Sequence, residues 1–393
     1  MTSKKWLCGW TAVALSVPII GVAALGQKMT SWKEAKQREV TVSADHKEVT
    51  LAADAKTTAP GAYGIVLSDA HLTVGSIIRL NDGQVTREIT EWAGSRSAGK
   101  LHGAWTGQVS ASPEQLDLPF EEVKLGRGDR DLPAWVIHPK ESTRKNVWAI
   151  HVHGLRSSRY SMLRSVPSSA SLGMTSLVPS YYGDAENHSH GEVCHYGGLE
   201  TADVDESIAY AVEHGAESIY LFGWSMGATI SLLLSESSKH RHLIAGLVLV
   251  SPGPNTEAVI AENARTAGLP GPLADLAPRI LSNPVLRRLA GLTAPVDFEN
   301  LDWTRGANRL RIPALVLHSR GDAEVPFALT DAFAKANCNK VTLKEFAPVP
   351  HQCEWNAEPE RFEAEVEAWV QAVETRQTGT PSPHRNISAV RAV

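Results

Sequence analysis

The segment Gly223-Trp224-Ser225-Met226-Gly227 places a serine between two glycines, after an apolar run and before a stretch of small apolar residues. This pattern predicts a strand, a sharp turn and a helix, with the serine hydroxyl exposed on the turn. Glycines on both sides allow the helix and the strand to approach without a Cβ clash. Ser225 is therefore the candidate nucleophile, and Gly223 and Gly227 are expected to shape its turn.

A serine hydroxyl is a weak nucleophile unless a base accepts its proton, so the chain should also supply a histidine and a carboxylate. Asp322 follows a predicted strand at residues 314–318, and His351 follows the last predicted strand at residues 341–346. Both residues are thus expected on loops at the same sheet edge as Ser225. We predict that Ser225 attacks, that His351 is the general base and then the acid, and that Asp322 orients the imidazole.

The turn after residue 318 carries a second carboxylate, Glu324, which is the alternative acid. A Val-Pro pair follows at residues 325–326. The spacing of Asp322 from this pair favours Asp322 over Glu324 as the group that contacts His351.

Acyl transfer also requires N–H donors for the negative charge that develops on the substrate oxygen. The N–H of Met226, directly after the serine, is the first candidate. The second is the N–H of Leu155 in the loop His153-Gly154-Leu155, which follows a predicted strand at residues 146–152. Gly154 would let this loop turn closely around the substrate, and His153 is expected to hold the loop rather than to titrate.

The elements needed to position these residues follow from the hydrophobic pattern. Over residues 126–376, apolar runs typical of strands covered on both faces alternate with helical patterns, which predicts a doubly wound, mostly parallel sheet of α/β class. Proline-broken helices at 252–308 predict a helical lid insertion above the carboxyl edge of the sheet. Alternating segments and turns predict a small β-rich N-terminal region at 27–125. Residues 377–393 lack periodicity and are expected to form a disordered tail.

Together, His153-Gly154, the segment 223–227, Asp322 and His351 resemble the α/β-hydrolase family, in its serine esterase, lipase and acylaminoacyl-peptidase-like branch. The resemblance covers about residues 132–373. It implies the α/β-hydrolase fold and cleavage of an ester, thioester or amide through an acyl-enzyme. It also implies that no metal or organic cofactor is needed.

A small-molecule or lipid-like acyl compound is the expected substrate, with a carboxylic ester as the leading class. A serine peptidase or an acyltransferase on the same triad is the nearest alternative. A non-catalytic, membrane-tethered binding protein with the same fold is an alternative of a different kind, because a fold alone does not establish activity.

The composition limits the classes of partner that the chain is expected to bind. The chain of 393 residues has a formal net charge of -5, which does not favour a nucleic acid as partner. Its four cysteines form no C-x-x-C pair, and the histidines at 188, 190 and 195 match no standard metal site. We therefore predict no metal site.

The N-terminus predicts a membrane location. Lys4 and Lys5 precede an uncharged stretch at residues 6–26, which has about the length that a transmembrane helix needs. By the positive-inside rule, residues 1–5 are cytoplasmic and the catalytic domain is extracytoplasmic on a single-pass signal-anchor. A cleaved signal peptide and a secreted protein are the alternative. We also predict a disulfide between Cys194 and Cys353, because an oxidising location permits it and both residues are expected on loops that follow strands at the carboxyl edge.

Overall fold

The structure is a computed structural model that describes residues 30, 35–127, 130–144, 146–184, 186 and 193–378. The predicted membrane segment at residues 6–26, the cytoplasmic residues 1–5 and most of the predicted tail lie outside the described residues. In the part of the chain that is described, no helix combines the length and the apolar character needed to cross a membrane.

The N-terminal region is a closed barrel of six antiparallel strands, which confirms the predicted β-rich region. The strands are β1 (Gln37–Val42), β2 (Glu48–Ala52), β3 (Tyr63–Val66), β4 (Ala70–Asn81), β5 (Gln84–Gly94) and β6 (Gly99–Thr106). Asp82 and Gly83 both have positive φ in the β4–β5 turn, as a two-residue hairpin of the favoured type requires. Closure leaves the barrel without a free sheet edge.

One buried cation organises the loops at one end of the barrel. The Arg87 side chain is fully buried and donates hydrogen bonds to the carbonyls of Thr57 (2.9 Å), Gly61 (3.0 Å), Gly75 (2.6 Å) and Ala59. Four carbonyl acceptors satisfy a guanidinium that would otherwise be costly to bury. The segment 57–61 is thereby held in one conformation.

The remaining strands form one eight-stranded sheet in the order β14-β13-β12-β11-β9-β10-β8-β7. They are β7 (Phe120–Arg127), β8 (Arg130–Ile137), β9 (Val147–Val152), β10 (Thr175–Pro179), β11 (Ser218–Trp224), β12 (Ile244–Val250), β13 (Ala314–Ser319) and β14 (Val341–Phe346). The strands from β9 to β14 run parallel, and β8 and β7 are antiparallel additions at one edge. The predicted doubly wound, mostly parallel sheet is confirmed, and the expected domain boundary at 125/126 falls inside β7.

Helices cover both faces of this sheet, and a separate apolar cluster lies on each face. The α-helices are α1 (Val166–Ser171), α2 (Glu200–Glu213), α3 (Met226–Ser237), α4 (Thr256–Thr266), α5 (Gly271–Ala274), α6 (Ala277–Ser282), α7 (Phe327–Ala336), α8 (Glu354–Ala357) and α9 (Pro359–Thr378). The insertion between β12 and β13 contains α4, α5, α6 and a 3₁₀ turn at Leu286–Ala290, so it is helical as predicted. We refer to residues 252–308 as the lid.

Helix α3 begins unusually close to strand β9. A Cβ on Gly227 would lie 2.1 Å from the carbonyl oxygen of Val152 and 2.6 Å from that of His153, and a Cβ on Gly223 would lie 2.5 Å from the Gly227 oxygen. Real side chains do not tolerate such contacts with backbone atoms. Glycine at these two positions is therefore required for the close approach of helix and strand.

We predict that Gly227→Ala lowers the melting temperature by on the order of 5 °C, because the added methyl group meets two backbone carbonyls that cannot move aside. Gly271→Ala is the matched control, since no atom lies within 4 Å of its Cβ position. Thermal unfolding followed by circular dichroism measures both variants. Equal melting temperatures for the two variants would contradict this account of the approach.

Candidate active site

Ser225 lies on the turn between β11 and α3 in a strained backbone conformation, with φ 52° and ψ -113°. A positive φ is unfavourable for a residue with a side chain, so the surrounding structure must hold it there. The Ser225 N–H donates to the Val250 carbonyl on β12 (2.9 Å), and the Ser225 carbonyl accepts from Ala228 N–H (2.9 Å). The turn projects the hydroxyl away from the sheet edge.

His351 lies on the loop after β14, and its ring bridges two other predicted site residues. Nε2 is 2.8 Å from Ser225 Oγ, and Nδ1 is 2.6 Å from Asp322 Oδ2. Burial by itself would lower the pKa of His351, but the hydrogen bond and charge of Asp322 outweigh burial and raise that pKa above its ordinary value. A proton on Nδ1 held by the carboxylate leaves Nε2 free to accept the serine proton.

Asp322 occupies the turn after β13 with its carboxylate buried and fully hydrogen-bonded. Oδ1 accepts the N–H groups of Glu324 and Val325, both at 2.8 Å, while Oδ2 faces His351 and His318. Burial favours the neutral acid, but the hydrogen bonds from His318 and His351 outweigh it and hold the pKa of Asp322 well below its ordinary value. The group is therefore an anion at neutral pH.

Sequence reasoning missed His318, the second histidine on this carboxylate. It is buried on β13, with Nε2 3.0 Å from Asp322 Oδ2 and Nδ1 2.8 Å from Thr330 Oγ1 on α7. If Nε2 carries the proton, Nδ1 accepts from the threonine hydroxyl and both contacts are satisfied. A histidine inside an otherwise apolar strand, four residues before the acid, was the available signal.

Glu324, the alternative acid, points elsewhere. Its half-exposed carboxylate forms an ion pair with Lys56 of the barrel (2.9 Å) and lines the cavity in front of Ser225. The chain therefore brings Asp322, and not Glu324, within hydrogen-bond distance of His351.

The predicted oxyanion donors border the same cavity. Met226 is the first residue of α3, where an N–H has no carbonyl partner within the helix. Leu155 also lines the cavity, and Gly154 lies so close to Ser225 that a Cβ on it would be 3.2 Å from the serine Cβ. Met226 and Leu155 thus line the same cavity as Ser225.

His153 holds the loop that precedes Leu155. Its Nε2 is 3.2 Å from Asp184 Oδ2, its Nδ1 is 2.9 Å from the Gly154 carbonyl, and its ring stacks on Tyr181. The Tyr181 hydroxyl in turn donates to the His153 carbonyl (2.6 Å). These contacts give His153 a structural position rather than one facing the serine.

The buried side chain of Glu354 joins the ends of three strands. Its Oε1 accepts from the Ser251 hydroxyl after β12 (2.6 Å) and from the Ser319 N–H at the end of β13 (3.1 Å), while Glu354 itself begins α8 after β14. Burial raises the pKa of Glu354. This carboxyl group, also missed from sequence, connects the segments that follow β12 and β13 to α8, which follows the loop of His351.

The barrel contacts the catalytic region through the segment after His351. The Asn356 side-chain amide donates to the carbonyls of Ala62 (2.7 Å) and Gly107 (2.9 Å). The backbone carbonyl of Asn356 accepts from Ala62 N–H (3.1 Å). Arg164 Nη1 donates to Asn356 Oδ1 (2.6 Å) and to the Gln352 carbonyl (3.0 Å). The barrel therefore buttresses the loop that carries the base.

Arg164 also reaches the nucleophile strand. Its guanidinium carbon lies 3.9 Å from the centre of the Trp224 ring, next to Ser225, in cation–π geometry. Complete burial lowers the pKa of Arg164 to about 10, so the group remains a cation at neutral pH. The Arg164 side chain thus contacts Asn356 on α8, the loop that carries His351, and Trp224, which precedes Ser225.

Two other expectations concern cysteines and metal ligands. The predicted disulfide is wrong: Cys194 and Cys353 are both free, and they belong to different apolar clusters, the first below the cavity and the second beside the barrel. His195 Nε2 contacts Thr293 Oγ1 on the lid (3.1 Å), whereas residues 188 and 190 lie outside the described part of the chain.

Comparisons with known proteins agree with this architecture. A sequence model of the alpha/beta hydrolase family matches residues 149–365, and one described as a domain of unknown function matches residues 39–106. No curated protein matches the chain.

Solved structures share the fold at low sequence identity. The esterase Pf2001 of Pyrococcus furiosus is 20% identical with a TM-score of 0.51 in one crystal form, covering 66% of this chain and 94% of the esterase. In a second crystal form the esterase is 18% identical with the same TM-score, and the match covers 67% of this chain and 96% of the esterase. Est1E of Butyrivibrio proteoclasticus, with bound ferulic acid, is 19% identical with a TM-score of 0.48, covering 64% and 99%.

We predict that Asp322→Asn lowers kcat by about 10⁴-fold, because an amide cannot fix the imidazole tautomer or stabilise the imidazolium. Glu324→Gln should lower kcat by less than about 10-fold, because its carboxylate pairs with Lys56 instead. Steady-state kinetics with circular dichroism on each variant makes the comparison. The reverse ranking would assign the acid to Glu324.

The position of the acid limb in the pH profile of kcat/KM should depend on the charge of Glu324. The base must be neutral, so kcat/KM rises as pH increases through the raised pKa of His351. Because the charge of Glu324 contributes to raising that pKa, Glu324→Gln should move the limb to lower pH. The control is Glu39→Gln, another exposed glutamate paired with a lysine. A limb that stays in place or moves to higher pH would contradict this electrostatic coupling.

Proposed function

The chain is an enzyme of the alpha/beta hydrolase family, and we propose that it hydrolyses carboxylic esters through an acyl-enzyme on Ser225. The observation that carries the proposal is the unbroken hydrogen-bond line from Asp322 through His351 to Ser225, which ends at an open cavity. A structural serine would have no need of a buried base at 2.8 Å that is itself oriented by an ionised acid.

In the acylation step, Ser225 Oγ attacks the ester carbonyl as its proton passes to His351 Nε2. The oxygen of the tetrahedral intermediate receives N–H donation from Met226 and Leu155. The intermediate collapses when His351 gives the proton to the alkoxy group, which leaves as an alcohol. Asp322 keeps its negative charge throughout and stabilises the imidazolium.

In the deacylation step, His351 accepts a proton from water, and the resulting oxygen nucleophile attacks the acyl carbon. The second tetrahedral intermediate releases Ser225 Oγ, which regains its proton from His351. The products are a carboxylic acid and an alcohol.

The cavity suggests the size and polarity of the substrate. Its volume is about 480 Å³, and its apolar wall includes Leu155, Val259, Ile260, Ala264 and Leu269. Most of this wall comes from the lid, and a cavity of this volume accommodates a ligand of moderate size. We infer an ester with one apolar group that packs against α4.

We further propose that the enzyme is held at a membrane by residues 6–26, with the catalytic domain extracytoplasmic. Lys4 and Lys5 ahead of an uncharged stretch support this placement, and these residues lie outside the described part of the chain. Secretion after cleavage within the same segment is the alternative.

The test is a substrate panel on one preparation: p-nitrophenyl esters of several acyl lengths beside aminoacyl p-nitroanilides, with Ser225→Ala as the reference. We expect kcat/KM for the best ester to exceed that for the best anilide by about 10²-fold or more, and Ser225→Ala to lose about 10⁶-fold in kcat. A preference for anilides would indicate a peptidase. Absence of any Ser225-dependent turnover would favour a binding protein.

A further inference from the structure

We propose that the outer face of the lid binds the surface of a membrane that contains anionic lipid. The surface in question, here called the lid patch, comprises Leu273, Leu276, Val285 and Leu286 together with Arg279 and Arg288. These residues lie on α5, α6 and the following 3₁₀ turn, or directly beside them. The proposal goes beyond ester hydrolysis, and it rests on the proposed membrane placement of residues 6–26.

The first observation is the concentration of exposed apolar side chains. Val285 is 73% exposed and Leu273 is 53% exposed, and Leu276 and Leu286 are also exposed. Single exposed apolar residues are common on soluble proteins, whereas four of the nine large apolar side chains that are exposed in the described residues fall within residues 273–286. Burial of these side chains in the boundary between headgroups and acyl chains would be favourable.

The second observation is the charge of the same stretch. Residues 276–296 contain three arginines and no acidic residue. Arg279 and Arg288 are exposed, and neither forms a salt bridge with a described residue. The nearest preceding acid, Asp275, is paired with Arg265. A positive surface with apolar side chains suits anionic lipid better than it suits an acidic protein.

The third observation fixes the lid near the predicted membrane segment. Thr30 is buried against the lid: its hydroxyl donates to the Ala290 carbonyl (2.8 Å), and its carbonyl accepts from Cys194 N–H (2.9 Å). Ala290 ends the turn that carries Leu286 and Arg288. Thr30 is only four positions after residue 26 in the sequence, a span of at most about 14 Å.

If residues 6–26 cross the bilayer, the short connection from residue 26 to Thr30 places the lid patch at the bilayer surface. A headgroup layer is roughly 5–8 Å thick, so a chain of that length cannot carry the lid far from it. Helix α4, which lines the cavity, packs against α5 and α6. Apolar esters in the membrane would then lie close to the cavity that contains Ser225.

The barrel offers a matched control surface. Ile78 and Leu80 on the β4–β5 hairpin are exposed to a similar degree, at 43% and 56%. Arg79 between them is paired with Glu48 (2.8 Å), and no segment near the predicted membrane span contacts this hairpin among the described residues. The hairpin should therefore stay in water.

The experiment is hydrogen–deuterium exchange of the full chain in nanodiscs of phosphatidylglycerol and phosphatidylcholine, in nanodiscs of phosphatidylcholine alone, and in detergent micelles. We expect exchange in residues 273–291 to slow by about fivefold or more in the anionic discs relative to micelles, and by less in the neutral discs. Residues 76–86 should exchange equally in all three.

Substitutions in the lid patch distinguish its contact with lipid from a general effect of the disc on hydrogen exchange. Val285→Ser with Leu286→Ser should abolish most of the protection, and Ile78→Ser with Leu80→Ser should not change it. Equal exchange of residues 273–291 in all media, or failure of the full chain to enter discs, would overturn the proposal. Protection in micelles that grows with protein concentration would also overturn it, because a second protein copy would then be the partner. None of these readouts requires turnover, so they are independent of the proposed ester hydrolysis.

Discussion

The close approach of α3 to β9 is the constraint on which the site depends. Gly227 brings the helix start against the carbonyls of Val152 and His153, and the chain enters α3 through a residue with positive φ. Ser225 is that residue, so its hydroxyl projects from the sheet edge toward the cavity. The same approach places Gly154 beside the serine, and the oxyanion loop is therefore positioned by the same contact.

The other site residues are positioned by the parallel register of the sheet. Strands β11, β12, β13 and β14 end at the same edge, so residues that are 126 positions apart in sequence meet at 2.8 Å. Buried polar groups then hold these strand ends together. Glu354 joins the ends of β12 and β13 to α8, while His318 gives Asp322 a second imidazole N–H donor besides that of His351. Both ring nitrogens of His318 and both carboxylate oxygens of Asp322 have hydrogen-bond partners, and buried polar groups that are satisfied in this way stabilise the arrangement.

The barrel is part of this arrangement, since Asn356 and Arg164 connect it to the base loop. Arg87 holds the segment 57–61, and a Cβ on Gly61 would lie 1.8 Å from the Asn356 carbonyl, so the two units fit closely. Lys56 reaches across to Glu324 at the cavity. The N-terminal region therefore contributes to the geometry and charge of the cavity rather than serving as an independent appendage.

Much of the fold followed from local sequence patterns, because apolar runs, turn glycines and proline-broken helices reflect short-range physics. The glycines around Ser225 and the carboxylate and histidine after successive strands were recognisable for the same reason. His318, Glu354 and the Arg164–Asn356 contact were not, since their partners are distant in sequence and lie on elements whose mutual packing no local pattern encodes. The expected Cys194–Cys353 disulfide failed for this reason too: both residues follow strands, but they pack into different clusters.

The central claim is that Ser225 is a nucleophile activated by His351, and covalent labelling tests it most directly. The full chain is incubated with a fluorophosphonate, digested and mapped by mass spectrometry, beside the His351→Ala variant. The account predicts one adduct, on Ser225, that forms at least about 10³-fold more slowly without the base. An unlabelled Ser225, or equal labelling rates in the two proteins, would contradict it.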